Sequence, residues 1–357
     1  MVYLNNAATS YPKPPSVIEA MTAALSSPPV SPLRSSLSQG GDLLASLRQQ
    51  LGRLFSISDW ERIFFCSSAT DAVNRIVQGL SWKHFTYTED SHNSVLRPLL
   101  NSLVTSDDGQ YDCLFLNHCN NVTGEICDIP AATASRASRL LMVDAAQSAG
   151  CIPIDVDGWG IDILVFTGHK ALFGPMGTGG YYVSRRLDLR PAQFGGTGRD
   201  SSVIRYTGKG DWEYEVGTQN MPGLAGLKAG VDYVLERGVE DIFRKEQQLT
   251  LWLVDELRSI PKVNVYLPAV SPAGGSIANQ GPVVSFNIVG LNPSDVGYIL
   301  QNSYGITLRT GLHCAPLVHR RLGTGKHGTV RASLSDFTTR RDIQTLVDAV
   351  NEISKSL

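Results

Sequence analysis

Short apolar runs that alternate with helix-like stretches between about residues 60 and 185 predict an α/β fold: a large, doubly wound, mostly parallel sheet followed by a smaller C-terminal α/β unit. Two further observations support this. The runs are near-continuously apolar rather than alternating, as parallel strands covered on both faces must be. The character of the chain also changes after about Pro222, where long amphipathic helices begin. A chain of 357 residues has room for two such units. The expected division is a large unit at 14–233 and a small unit made of 1–13 with 234–357.

In chain order, the first strand is expected at 62–66 and the first crossover helix at 70–80. That helix carries Ala72, Val73, Ile76, Val77 and Leu80 at helical spacing. Strands at 111–116, 140–143 and 161–166 continue the alternation. Helices are then expected at 223–236 and 239–259, the second with Ile242, Leu249, Trp252, Leu253 and Leu257 on one face. The small unit takes strands at 263–267, 283–288 and 330–333, with a loop or hairpin connection through 268–282. A final helix has Ile343, Leu346, Val347, Val350 and Ile353 in register, and Thr339 with Asp342 resembles a capping box at its start.

Several function classes are excluded early. Lys and Arg number 31 against 33 Asp and Glu, a net charge of −2 with no basic footprint for nucleic acid. No apolar run approaches the roughly 18 residues of a membrane span. The opening Met1, Val2 and Tyr3 are not a basic segment ahead of an apolar core, so no signal peptide is expected. Six cysteines without a Cys-x-x-Cys pair read as reduced thiols in a cytoplasmic protein. Gly323–Thr329 departs from the order of a nucleotide-binding P-loop, and His313 with Cys314 has no partner pair at zinc spacing, so no metal is expected.

Chemistry gathers where the apolar runs end, the edge at which open α/β sheets bind ligands. Lys170 follows one run in Phe166-Thr167-Gly168-His169-Lys170, just before the glycine-rich Gly174–Gly180. Asp144 ends another and is followed by Gln147. A lysine for a Schiff base, a carboxylate for a pyridine nitrogen and a phosphate-friendly turn are what pyridoxal 5'-phosphate requires. Ser67-Ser68-Ala69-Thr70-Asp71 offers backbone N–H groups and a hydroxyl at a helix start, which suit a phosphate or a plain N-cap. Asn121 lies in a third polar turn, able to reach a cofactor oxygen or simply to make the turn. Cys314 stands apart from the other cysteines. It sits in a Gly/Pro-bounded segment beside His313 and near arginines, where a thiolate is favoured.

Taken together, these motifs resemble the class V aminotransferases among fold-type I pyridoxal-phosphate enzymes, and within them the cysteine desulfurases. The resemblance runs from Tyr3-Leu4-Asn5-Asn6-Ala7-Ala8 to Val330-Arg331-Ala332-Ser333, and the compact segment around Cys314 is similar to the group II, Suf-type branch. It implies Lys170 as the Schiff-base lysine, Asp144 on the ring nitrogen, Gln147 on the phenolic oxygen and His92 stacked on the ring. Ala69, Thr70, Thr167 and His169 would cradle the phosphate, and Asn121 would contact cofactor or substrate. Arg331 would bind the substrate carboxylate, and Cys314 would accept sulfur as a persulfide. Thr218 would reach the phosphate of a neighbouring subunit, which implies a homodimer. The implied activity converts L-cysteine to L-alanine and delivers sulfur to an acceptor protein, as in iron-sulfur cluster assembly. The alternatives on the same fold are selenocysteine lyase and a cysteine/cystine C–S lyase. The chain departs from the family pattern at Arg34-Ser35-Ser36-Leu37, at Ser68-Ala69-Thr70-Asp71 and at Ser335–Thr339.

Overall fold

A computed structural model of the chain describes residues 1–28, 39–101, 111–134, 140–197, 202, 204–205, 211–268 and 279–357. The departure at Arg34–Leu37 and most of the 268–282 connection lie outside these residues. The first half of the chain runs β1 (Val2–Tyr3), α1 (Pro15–Ser26), α2 (Gln39–Phe55), β2 (Ile63–Cys66), α3 (Ala69–Gly79), β3 (Trp82–Tyr87), α4 (Asn93–Asn101), β4 (Tyr111–Asn117), α5 (Ile129–Thr133), β5 (Leu140–Asp144), α6 (Val156–Trp159), β6 (Ile163–Thr167) and β7 (Gly179–Val183). The second half runs α7 (Met221–Arg237), α8 (Val239–Ser259), β8 (Val263–Tyr266), β9 (Val283–Ile288), α9 (Pro293–Tyr304), β10 (Ile306–Thr307), β11 (Arg309–Gly311), α10 (Pro316–Arg321), β12 (Thr329–Ser333) and α11 (Arg340–Lys355).

The large sheet has the order β2-β7-β6-β5-β4-β3. Strands β3 to β6 are parallel, while β7 runs antiparallel between β6 and β2. The fold is therefore α/β with a mostly parallel central sheet, as the apolar runs predict. One face packs on α2 and α7 through Leu47, Leu51, Leu164, Phe166, Leu227 and Val231. The other packs on α3 through Val73, Ile76, Met142, Val165 and Tyr181. Burial on both faces explains why these strands read as continuous apolar runs. Strand β3 is an edge strand, largely exposed and polar, so its sequence carries no such run, whereas β2 at the other edge is apolar and mostly buried.

The structure corrects one expectation. The glycine-rich stretch after Lys170 is not a phosphate turn: Gly179 and Gly180 open β7 and are buried. A Cβ on Gly180 would lie 2.6 Å from the Phe64 carbonyl oxygen and 2.6 Å from the Phe166 ring. The glycines are there so that β7 can insert between two neighbours.

The second sheet is antiparallel, β11-β12-β9-β8, and β1 pairs separately with β10. Its core joins Leu4 to Leu253, Phe286, Val330 and the Ile343, Leu346, Val350 and Ile353 face of α11. Each such side chain contributes about 1.5–3 kcal/mol on burial. Strand β12 is wholly buried and carries Arg331 inward. Asp336, just beyond β12, receives Tyr233 and Arg237 from α7 and Lys245 from α8. That cluster binds the β12 segment to the helices lying against the large sheet.

Candidate active site

The ends of β2, β4, β5 and β6 open on one cavity of about 260 Å³. It gathers Ala69, Thr70, His92, Asn121, Asp144, Gln147, Thr167, His169, Lys170, Cys314 and Arg331, eleven of the twelve residues expected from the sequence. Thr218 is the exception; it is exposed in the segment before α7 and lines no part of this cavity.

Ser68 caps α3 by accepting the Asp71 N–H at 3.2 Å, which leaves the N–H groups of Ala69 and Thr70 without helical partners. The Thr167 hydroxyl and His169 Nδ1 are buried nearby with no hydrogen-bond partner. Donors and acceptors orphaned this way at a helix start fit a phosphate. One Asp144 oxygen accepts the Ala146 N–H at 2.9 Å. Burial pushes the Asp144 carboxyl up, and the charge of Lys170 only partly offsets this. A carboxylate so desolvated fits the protonated nitrogen of a pyridine ring. The residues present therefore fit pyridoxal 5'-phosphate.

Lys170 lies just beyond the end of β6, after Gly168 and His169. Burial brings its ammonium down to about 8, with Asp144 pulling the other way and Arg331 and Arg309 adding to the depression. A sizeable neutral fraction near physiological pH suits a lysine that acts as nucleophile and base. Gln147 donates to the Ala7 carbonyl at 3.1 Å, leaving its other amide N–H for a ligand. His92 Nδ1 accepts the Ser94 N–H at 3.0 Å, which puts the ring proton on Nε2. Burial, then the charges of Lys170, Arg309 and Arg331, bring His92 down to about 3, so the ring is neutral.

Arg331 is fully buried, its Nη1 donating to the Asn121 carbonyl at 2.9 Å while Nε and Nη2 have no partner. Burial first, then Arg309, brings it down to about 9. A buried guanidinium with two idle nitrogens at a cavity wall fits a carboxylate. Cys314 is half-buried, and Arg309 Nη2 lies 3.3 Å from its sulfur. The remaining five cysteines are also free. Burial pushes Cys66, Cys119 and Cys127 up to about 12 and Cys151 well above its ordinary range, so they behave as inert small hydrophobes.

Arg309, Ser68 and Ala7 also line the cavity without having been singled out from the sequence. Arg309 had a local signal, since it starts the segment that ends at Cys314. Ala7 had only its place in the Tyr3–Ala8 motif and no chemical group of its own: its position depends on β1 pairing with β10 some 300 residues away.

The profile of the aminotransferase class-V family matches residues 2–102 and 100–346. A cysteine desulfurase of Pectobacterium atrosepticum is 29% identical over 356 residues, covering 89% of this chain and 84% of that protein. The apo structure of a cysteine desulfurase from Thermococcus onnurineus NA1 superposes with a TM-score of 0.88 at 27% identity, covering 100% of this chain and 95% of that one. A cysteine desulfurase from Escherichia coli, in an S-sulfonic acid form, gives a TM-score of 0.83 at 25% identity over 99% and 95%.

Proposed function

The chain belongs to the aminotransferase class-V family, and on that premise we propose that it is a pyridoxal-phosphate-dependent cysteine desulfurase. The observation that carries the reading is the single cavity holding Lys170, Asp144, Arg331 and a half-buried Cys314. When bound, the cofactor supplies an electron sink that lets the Cα–H bond of an amino acid break.

The chain's residues do the rest. Ala69, Thr70, Thr167 and His169 would hold the phosphate, and Lys170 would be the point of covalent attachment. Asp144 would pair with the ring nitrogen and favour its protonated form, while His92 and Gln147 would orient the ring. Arg331 takes the substrate carboxylate on its two idle nitrogens. Lys170, buried and partly neutral near physiological pH, would take the Cα proton. Neutral His92, with its proton on Nε2, passes a proton at the ring face. Cys314 as thiolate attacks the substrate sulfur. An S–S bond forms, the substrate C–S bond breaks, and a proton replaces sulfur on the carbon. L-cysteine and the Cys314 thiol thus become alanine and a Cys314 persulfide, with carbon reduced and sulfur oxidised in balance. An acceptor protein then takes the sulfur, in the manner of iron-sulfur cluster assembly in a cytoplasmic setting. Thr218, exposed in this chain, would reach the phosphate of a second copy in a homodimer.

Cofactor-loaded protein given cysteine alone should yield alanine and gain the mass of one sulfur on the peptide containing Cys314. Pyruvate and ammonia, with no added mass on Cys314, would establish a lyase instead.

A further inference from the structure

The backbone at Cys314 is unusual. His313 and Cys314 both occupy the left-handed region, with φ of 49° and 60°. Residues with a Cβ avoid this region, so two in succession must be held there. The carbonyls of the pair supply the hold. The Cys314 carbonyl accepts the Asn93 N–H at 2.8 Å. The His313 carbonyl accepts the Asn121 side-chain amide at 2.6 Å, and Asn121's own carbonyl accepts Arg331 Nη1 at 2.9 Å. On the other side, His313 Nε2 reaches Thr329 on β12 at 3.0–3.1 Å, two residues before Arg331.

We propose that Asn121 is a positioning residue for Cys314. Its amide holds the left-handed turn that presents the thiol beside Arg309, and ties that turn to the arginine facing the substrate carboxylate. The inference rests on the reading of Cys314 as nucleophile and goes beyond a cofactor or substrate contact at Asn121. The amide has two N–H groups, and one is committed to His313 by a short bond. The oxygen is buried without a partner and, as an acceptor only, cannot bind a carboxylate. What this side chain visibly does is hold backbone.

Asn121→Asp keeps the shape and removes the N–H, and Asn121→Ala removes both. Hydrogen exchange followed by mass spectrometry should show the peptide over 309–318 exchanging roughly tenfold faster in each variant, with the rest of the chain unchanged. Iodoacetamide should modify Cys314 faster at fixed pH. In turnover, kcat for alanine should fall by a larger factor than KM rises. Wild-type exchange and alkylation in the isosteric Asn121→Asp, with only KM raised, would overturn the proposal. Faster exchange spread evenly over the whole chain would overturn it too, since that marks a general loss of stability. Exchange and alkylation need no turnover, so they test the role of Asn121 even in a chain that makes no alanine.

Discussion

Arg331 places the strictest demand on its surroundings. A buried guanidinium with two unpartnered nitrogens tolerates no blunt substitute, because lysine cannot form the planar fork. Arg331→Lys should raise KM for cysteine by roughly a hundredfold with cofactor absorbance retained, read by steady-state kinetics. Cys314→Ser should still bind pyridoxal phosphate and cysteine, while alanine and sulfide release falls by roughly two orders of magnitude or more, since a serine hydroxyl is hardly ionised. Borohydride reduction of loaded protein should leave a pyridoxyl group on Lys170, and a label on another lysine would remove the assignment. At this scale the sequence was informative where a polar residue ends an apolar run or lies a few residues beyond it, as at Asp144 and Lys170. It carried no chemical signal where a residue reaches the cavity through a distant pairing, as Ala7 does.

Elements were legible where local and long-range forces agree. The expected capping box at Thr339 is present, with Thr339 Oγ1 accepting the Asp342 N–H and Asp342 accepting the Thr339 N–H at 2.8 Å. Thr339→Ala should cost about 1 kcal/mol in urea denaturation. Strand β3 escaped notice because this edge strand is exposed and polar. Strand β7 escaped because its opening glycines answer to a neighbour's backbone rather than to strand propensity. The Asp336 cluster was equally invisible, since its partners come from two helices about 100 residues upstream. Burial would raise the Asp336 carboxyl, yet hydrogen bonds from Arg237 and Tyr233 and the nearby Lys245 hold it down to about 2. Asp336→Asn should therefore lower stability at neutral pH by about 1–2 kcal/mol, and the difference from wild type should shrink as pH falls below 4.

Across the whole molecule, buried histidines set the response to acid. Burial brings His118 and His319 down to about 4 and His313 to about 2. The unfolded chain takes up these protons near pH 6.5 and the folded chain does not, so stability is full above pH 6.5 and declines as pH falls toward 4. Each histidine adds a slope of about 1.4 kcal/mol per pH unit. Glu125, Asp144 and Glu246, all raised by burial, oppose this by holding protons in the folded state. Melting temperature of the cofactor-free protein measured from pH 7 to 4.5 should fall steadily, because among the described residues five lowered histidines, with His92 and His169 included, outnumber three raised carboxyls. The cavity itself has two owners. The prospective grip on the cofactor comes from the ends of the large sheet, whereas Arg309, Cys314 and Arg331 come from the antiparallel one. Under mounting denaturant such a machine has an order of failure. Once the smaller partner slackens, the substrate clamp and the thiol drift away while the coloured group stays gripped. The protein should fall silent before it fades.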